Sequence, residues 1–262
     1  TDNHVNEGAD ATFATPTATS RLGNYHQISV KDFAISGTLE SVDKAGRERE
    51  SAYQKVLKSL ELRRDIEKSV GDTNVARSAS DPRKSASLIT WMTNVSKPSD
   101  MGHGTGDGTD TCDLTGTNRA LTLAQIESAN QEAWEDGGNP QILVCSATNK
   151  ANISNLSAAG TNLVTNQVNA TAGTAPSFVG AVSVFLTDFG ELQLTPSRFL
   201  SNDKLFIIDP DYVCIGTLNG RNFAESELSK TGDADKTQIV TEFTLVVKSP
   251  KAHAAVFGLN GS

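Results

Sequence analysis

Apolar and polar positions divide the chain into stretches of different character. Residues 1–24 are rich in Thr, Ala, Asn, Asp and Gly and carry few large apolar side chains. Such a stretch buries too little to offset its own ordering, which predicts a flexible arm or one that orders against something else. From Tyr25 the pattern turns strand-like: Ile28 and Val30 share one parity, Phe33 and Ile35 the other. The switch at Lys31–Asp32 predicts a bulge or tight bend, or a ribbon that meets partners on both faces, and Gly37 closes the segment. From Arg47 to Val70, Tyr53, Val56, Leu57, Leu60 and Ile66 recur at helical steps, with Leu62 off the stripe. A helix of roughly 23 residues spans about 35 Å at 1.5 Å per residue, a spine with solvent or partners along its other side. Gly71 is its natural stop.

Met101–Arg119 has no apolar period and reads as a flexible glycine, threonine and aspartate loop. Thr122 followed by Gln125 is a capping-box signature, opening a helix with Ile126, Ala129, Ala133 and Trp134 on one face. Gly137–Pro140 ends it, Ile142–Cys145 is a buried strand, and Ser146 caps a further helix through Lys150, Ile153 and Leu156. This is a compact α/β unit. Thr161–Ser177 is a polar loop. Val182, Val184 and Leu186 then alternate, turn at Thr187–Gly190, and meet Leu192 and Leu194 in a hairpin. Short strands follow at Lys204–Ile208 and Tyr212–Thr217, and Ile239–Val247 is the cleanest period-2 run, before a last segment at Ala252–Phe257. Leu60 and Phe243 both fall on inferred core faces, so a charge at either predicts loss of the fold.

Composition narrows the function classes. The 262 residues carry 23 Lys plus Arg against 31 Asp plus Glu, a net charge of −8, which argues against a nucleic-acid-coating surface. Residues 100–136 hold eight acids and one base, Arg119, while residues 40–68 hold eight bases and seven acids. An acidic module beside a mixed-charge helix suits contacts between copies of one chain, or a merely solvated face. No apolar run approaches a membrane span. Cys112, Cys145 and Cys214 form no paired spacing; Cys145 and Cys214 lie in apolar runs and read as small buried hydrophobes in a reducing compartment.

No motif carries chemistry. Gly102–Gly108 has alternating glycines without the preceding strand or following helix that a phosphate loop needs. His103, Asp107, Asp110 and Asp113 fail the calcium-loop pattern, because the twelfth position from Asp107 is Asn118 rather than Glu. His4, His26, His103 and His253 stand in no relation to a Ser or Cys nucleophile. No catalytic residue, metal ligand or cofactor is assigned.

Several segments, in order, carry a resemblance. They are Arg21–Ile28, Val30–Gly37, Ala45–Glu48 and Tyr53…Leu60…Arg63–Glu67, then Asn118–Thr122 and Ala133–Pro140. Asp188–Gly190, Pro196–Leu200, Leu228–Asp233 and Lys251–His253 continue it. Over about 21–258 the chain resembles a tailed-bacteriophage major capsid (head) protein of the Hong Kong 97-type fold. The resemblance implies an α+β fold with an extended loop, a long spine helix, a peripheral sheet and an α/β axial domain. It divides the chain into 1–46 (N-terminal segment and extended loop, incomplete at its start), 47–119 (peripheral domain with spine helix and glycine-rich loop), 120–212 (axial domain) and 213–262 (return strands of the peripheral domain). It also implies a protein that self-assembles, as hexamers and pentamers of itself, into an icosahedral head enclosing double-stranded DNA without sequence-specific binding. Portal, scaffold and decoration proteins are partners, no membrane is involved, and the setting is the virion, with the host cytoplasm during assembly. Arg21, Tyr25, Lys31, Asp32, Phe33, Arg47, Arg63 and Arg64 are the candidate intersubunit contacts. No position matches the motif of the type member's Lys–Asn crosslinks. The alternatives are a secreted or surface β-rich calcium-binding module and a hydrolase or transferase with an unmarked carboxylate pair.

Overall fold

The computed structural model describes residues 3–11, 13–19, 21–42, 45–46, 49–158, 184–230 and 232–261. The polar loop expected at Thr161–Ser177, Val182 and Arg47 lie outside the described residues.

Two sheets organise the chain. The first is built on its longest strand. Numbered in chain order, β1 is Gln27–Ser36, β7 Val213–Thr217, β8 Ala224–Leu228 and β9 Ala234–Val247. β9, rich in Thr, Val, Ile and Phe, is central. Antiparallel β1 lines one edge from Gln27↔Phe243 to Ser36↔Ala234, and β7 and β8 share the other. The β1 register runs unbroken through Lys31↔Ile239 and Asp32↔Gln238, so no bulge explains the parity switch. Instead one straight strand carries apolar residues on both faces. Phe33 and Ile35 face inward, whereas Ile28 and Val30 are exposed. The segment does not project as a free ribbon, because all ten β1 residues pair within the sheet.

Gly37–Ser41 forms a short helix, α1, and Glu50–Gly71 the long one, α2. The Glu40 carboxylate accepts from the Ser51 N–H (3.2 Å) and hydroxyl (2.8 Å), supplying the anion that a helix start favours. The phase of α2 differs from the expected stripe. Leu62, the residue off that stripe, is 1% exposed and packs with Ile66 on Ile239 and Phe243; Leu60 is 54% exposed, and Tyr53 and Val56 face solvent with it. The helix is tied at two places on its sheet, by Lys55 to Glu225 of β8 and by Lys31 of β1 to Asp65 at 2.6 Å. These ties and the Leu62–Ile66 line turn the longer apolar run outward.

The second sheet has the order β2-β10-β6-β3-β5-β4, with β2 Asn94–Ser96, β3 Ile142–Cys145, β4 Val184–Thr187, β5 Gly190–Pro196, β6 Lys204–Ile208 and β10 Ala254–Phe257. Residues 213–262 are therefore shared between the sheets, β7 to β9 in the first and β10 in the second. On one face Leu143, Leu192, Leu205, Ile207, Ala254 and Val256 pack beneath α4 (Leu123–Glu135) and α5 (Ala147–Ala158). On the other, Val144, Phe206 and Phe257 meet Leu88 and Trp91 of α3 (Leu88–Trp91), together with Leu245 and Val247 of β9. Burial of both faces explains the continuous apolar runs of β3 and β6. β4 is the exception: Phe185 points inward opposite Leu192, while Val184 and Leu186 of the expected alternation face out. Trp134 also leaves the expected helix face, at 53% exposure beside Phe189. Cys145 is buried as expected, but Cys214 is exposed.

The loop 101–119 is fixed rather than flexible. A Cβ at Gly104 would stand 2.5 Å from the Thr90 carbonyl oxygen, and Gly108, at φ +74°, lies against the Trp91 ring. The Asn74 amide spans the backbone of Cys112, accepting from its N–H (3.0 Å) and donating to its carbonyl (2.7 Å). Asp107 accepts from the Thr109 hydroxyl and N–H, which hold its carboxyl down to about 2.

Both crossings between the sheets, 209–212 and 248–253, meet at His253. The Asp209 N–H donates to His253 Nδ1 (3.2 Å), the Asp209 carboxylate accepts from Asn139 N (3.0 Å), and Lys248 N donates to Tyr212 O (2.8 Å). Burial holds the His253 imidazole below its ordinary 6.5, against the pull of Asp209. The unfolded chain therefore takes up this proton first, so stability falls as pH drops below about 6.5 and levels off below the folded value. His253→Asn keeps an acceptor without the titration. Thermal melting of this variant is expected to vary less between pH 7 and pH 5 than that of the parent; an unchanged slope would assign the dependence to other groups.

Candidate intersubunit surfaces

The candidate contact residues fall into three groups. Arg21 and Tyr25 are exposed where the arm joins the body. The root of the arm is anchored: Asn24 donates to Ser85 Oγ (3.1 Å) and to Leu245 O (2.9 Å), and Arg77 donates to Gly23 O. On β1, Asp32 is exposed, but Phe33 packs against the Leu62–Phe243 cluster of its own subunit. Lys31 is held by Asp65. These last two serve the fold, because odd positions of β1 face α2. On α2, Arg63 lies over the Phe223 ring at 5.4 Å, and Arg64 is half exposed with Asp65 3.7 Å away.

The structure adds surfaces that sequence reasoning assigned to the core. Tyr53, Val56 and Leu60 form an exposed apolar line on α2, continued by exposed Arg63, Arg64, Glu67 and Lys68. The outer side of β1 presents Ile28 and Val30, beside a cavity of about 480 Å³ that Ile28, Asp81, Pro82 and Arg83 line. Next to it, buried Glu242 accepts from Arg221 (2.9 Å) and Arg83 (3.2 Å), which pins the 81–83 turn to β9. The signal that separates the two sides of α2 was present: Leu62, Ile66 and Val70 recur at steps of four, a shorter stripe than the one chosen.

A second charged cleft, about 370 Å³, is lined by Glu40, Arg49, Lys55, Lys230 and Asp235. Glu40 accepts from Ser51, Lys55 pairs with Glu225 and Lys230 with Asp235, so these groups already have partners within the subunit. In the loop at 101–119, the Asp113 carboxylate is taken up by Thr115 as Asp107 is by Thr109. Among the described residues no group of three or more His, Cys, Asp or Glu side chains could hold a metal ion, and no helix is long and apolar enough to cross a membrane.

Residues 1–260 match the family model of the SU10 major capsid protein. The chain belongs to that family. It is a capsid shell-forming protein of the virion, structural rather than enzymatic, and it assembles with other subunits into a shell. Its Hong Kong 97-type fold is similar to solved shell proteins of low identity. The satellite phage P4 procapsid, whose structure includes the size determination (Sid) protein, aligns with TM-score 0.58 at 13% identity, covering 98% of this chain and 79% of that one. The holo-SrpI encapsulin complex of Synechococcus elongatus PCC 7942 gives 0.58 at 9%, covering 90% and 75%. Mycobacterium phage Ogopogo gives 0.54 at 15%, covering 98% and 82%. No curated protein matches the chain.

Proposed function

We propose that this capsid protein builds an icosahedral phage head from hexamers and pentamers of itself, assembled in the host cytoplasm and enclosing double-stranded DNA. The observation that carries the reading is the pair of exposed apolar side chains Val56 and Leu60 on α2, which a monomer leaves in water. Arg21, Tyr25 and Asp32, with Arg63 and Arg64, border such surfaces and serve as contacts between copies; Lys31 and Phe33 act indirectly by fixing β1 on α2. Arg47 is kept as a contact on the family resemblance alone. The second sheet, with α4 and α5, is the axial unit, and the β9 sheet with α2 the peripheral one. Portal, scaffold and decoration proteins are the other partners.

Heterologous contacts of this kind let one chain fill several neighbouring positions in a closed shell. The net charge of −8 suits an enclosing wall that does not hold its DNA tightly. Particles from cells producing the chain with its head partners are expected to sediment as closed shells and to protect genome-length DNA from added nuclease. Shells that protect no DNA under packaging conditions would overturn the enclosing role and leave only compartment formation.

A further inference from the structure

We propose that β7 pairs antiparallel with β7 of a second copy, across a two-fold axis through Ile215, so that two sheets built on β9 become one. The inference rests on the shell reading, because it needs adjacent copies.

The edge is open, and its hydrogen-bonding phase is set. Leu245 lies opposite Ile215, but its N–H donates to Ser85 Oγ (3.2 Å) and its carbonyl accepts from the Asn24 amide (2.9 Å), both away from β7. The bonds that reach across are Lys248 N to Tyr212 O (2.8 Å) and Leu218 N to Glu242 O (3.0 Å), so even positions of β7 serve β9. The N–H and C=O groups of Val213, Ile215 and Thr217 therefore point outward. Among the described residues, β7 pairs with no strand besides β9.

An exposed edge strand recruits another strand unless charges guard it. In this sheet β8 carries Glu225 and Glu227, and β1 carries Lys31 and Asp32. β7, Val-Cys-Ile-Gly-Thr, carries no charge. Ile215 is 51% exposed although it stands opposite buried Leu245, and Tyr212, Cys214 and Leu218 are exposed with it.

The strand is complementary to itself in one register. With Ile215 opposite its own copy, Val213 falls opposite Thr217, and every outward-facing group enters a hydrogen-bonded pair. Tyr212 falls opposite Leu218 at both ends, in non-hydrogen-bonded pairs, where side chains approach most closely. Asp211 falls opposite Asn219, two residues from Arg221, so opposite charges meet at the rims. A centre one residue earlier would set Thr217 against Asp211 and Leu218 against Pro210. Such self-matching is what a contact between identical patches requires.

The register places Cys214 opposite Gly216 of the second copy, which supplies the test. Opposed residues of a non-hydrogen-bonded pair stand about 4.5 Å apart at Cα, within the disulfide range of about 4.4–6.8 Å. A Cβ at Gly216 lies 3.3 Å from Val246 Cγ2, so a cysteine fits with a small shift, and Cys112 and Cys145 are buried. Gly216→Cys with native Cys214 is assembled into particles, mildly oxidised and run on a non-reducing denaturing gel. At least half of the chains should run as dimers and none as higher multimers, because each chain has one such edge. In the unsubstituted chain the two Cys214 residues stand about 8 Å apart and should link at least tenfold less.

Intact shells without the dimer would overturn the pairing and leave the shell reading in force. Equal linkage in the unsubstituted chain would move the axis to Cys214 and overturn the register, and a ladder of multimers would overturn the two-fold contact. Failure of the unsubstituted chain to form any particle would overturn the shell reading itself. As a second readout, Ile215→Lys sets like charges against each other across the axis. It should melt like the parent yet cut particle yield at least fivefold, whereas Ile215→Val should assemble normally. Parental yield from Ile215→Lys would contradict the pairing.

Discussion

Phe243→Asp is expected to leave no soluble, cooperatively melting chain, whereas Leu60→Asp should fold like the parent and fail in assembly. Phe243 is 1% exposed, sits opposite Gln27 of β1 and Thr217 of β7, and packs with Leu62 and Ile66 of α2. Emptying such a site costs about 3–5 kcal/mol, and an unpaired carboxylate adds its own desolvation. Against a total stability of about 5–15 kcal/mol, that is enough to unfold the chain. Leu60 projects into water, where substitutions stay within about 0.5 kcal/mol, a melting shift of about 2 °C or less. Circular dichroism melting of the soluble fractions separates the two. A Leu60→Asp variant that aggregates unfolded would show that this face of α2 is core after all.

The second large effect is expected at the join between α2 and the second sheet. Lys204 is buried at the start of β6; its ammonium donates to Asp72 O (2.9 Å) and lies 3.5 Å from carboxylate oxygens of Asp72 and Asp203. Lys204→Met keeps most of the volume but strands Asp72. Removing one partner of a buried pair costs about 3–5 kcal/mol, and the partial exposure of both carboxylates places this case near the lower figure. Melting at pH 7 should fall by about 6–12 °C. Burial raises the Asp72 carboxyl, but Ser201 and Lys204 outweigh it, so its net position is below 3.8. That contribution is present above the unfolded value and is lost as pH falls through the folded one. The gap between variant and parent should therefore narrow below about pH 4. A constant gap down to pH 2 would mean that packing, not the ion pair, is what Lys204 contributes.

Local signals were legible where one interaction decides the outcome. The Thr122–Gln125 capping box starts α4 as written, because its two reciprocal hydrogen bonds are local. Ile142–Cys145 is β3, since a sheet buried on both faces needs an unbroken apolar run. What failed depended on tertiary choice. The helical period places both Leu60 and Leu62 on α2, but only the rows of Ile239 and Phe243 beneath it decide which one is buried. The parity switch in β1 is real in sequence, yet its meaning depends on α2 covering only the odd face. The loop 101–119 looked unstructured because its order comes from glycines pressed on Thr90 and Trp91 and from the distant Asn74 amide, none of which leaves a periodic trace. Of the candidate contact residues, Arg21, Tyr25, Asp32, Arg63 and Arg64 lie exposed, whereas Lys31 is tied to Asp65 and Phe33 packs on the Leu62–Phe243 cluster.

Assembly through these surfaces requires that the outer face of α2 and the Ile28–Val30 side of β1 leave water together when subunits join. A cryo-electron-microscopy reconstruction of the assembled particle measures this directly. It should show closed shells in which Val56, Leu60 and Ile28 each lie against a neighbouring copy. A closed shell with these three side chains still facing solvent, its subunits joined through other surfaces, would contradict it.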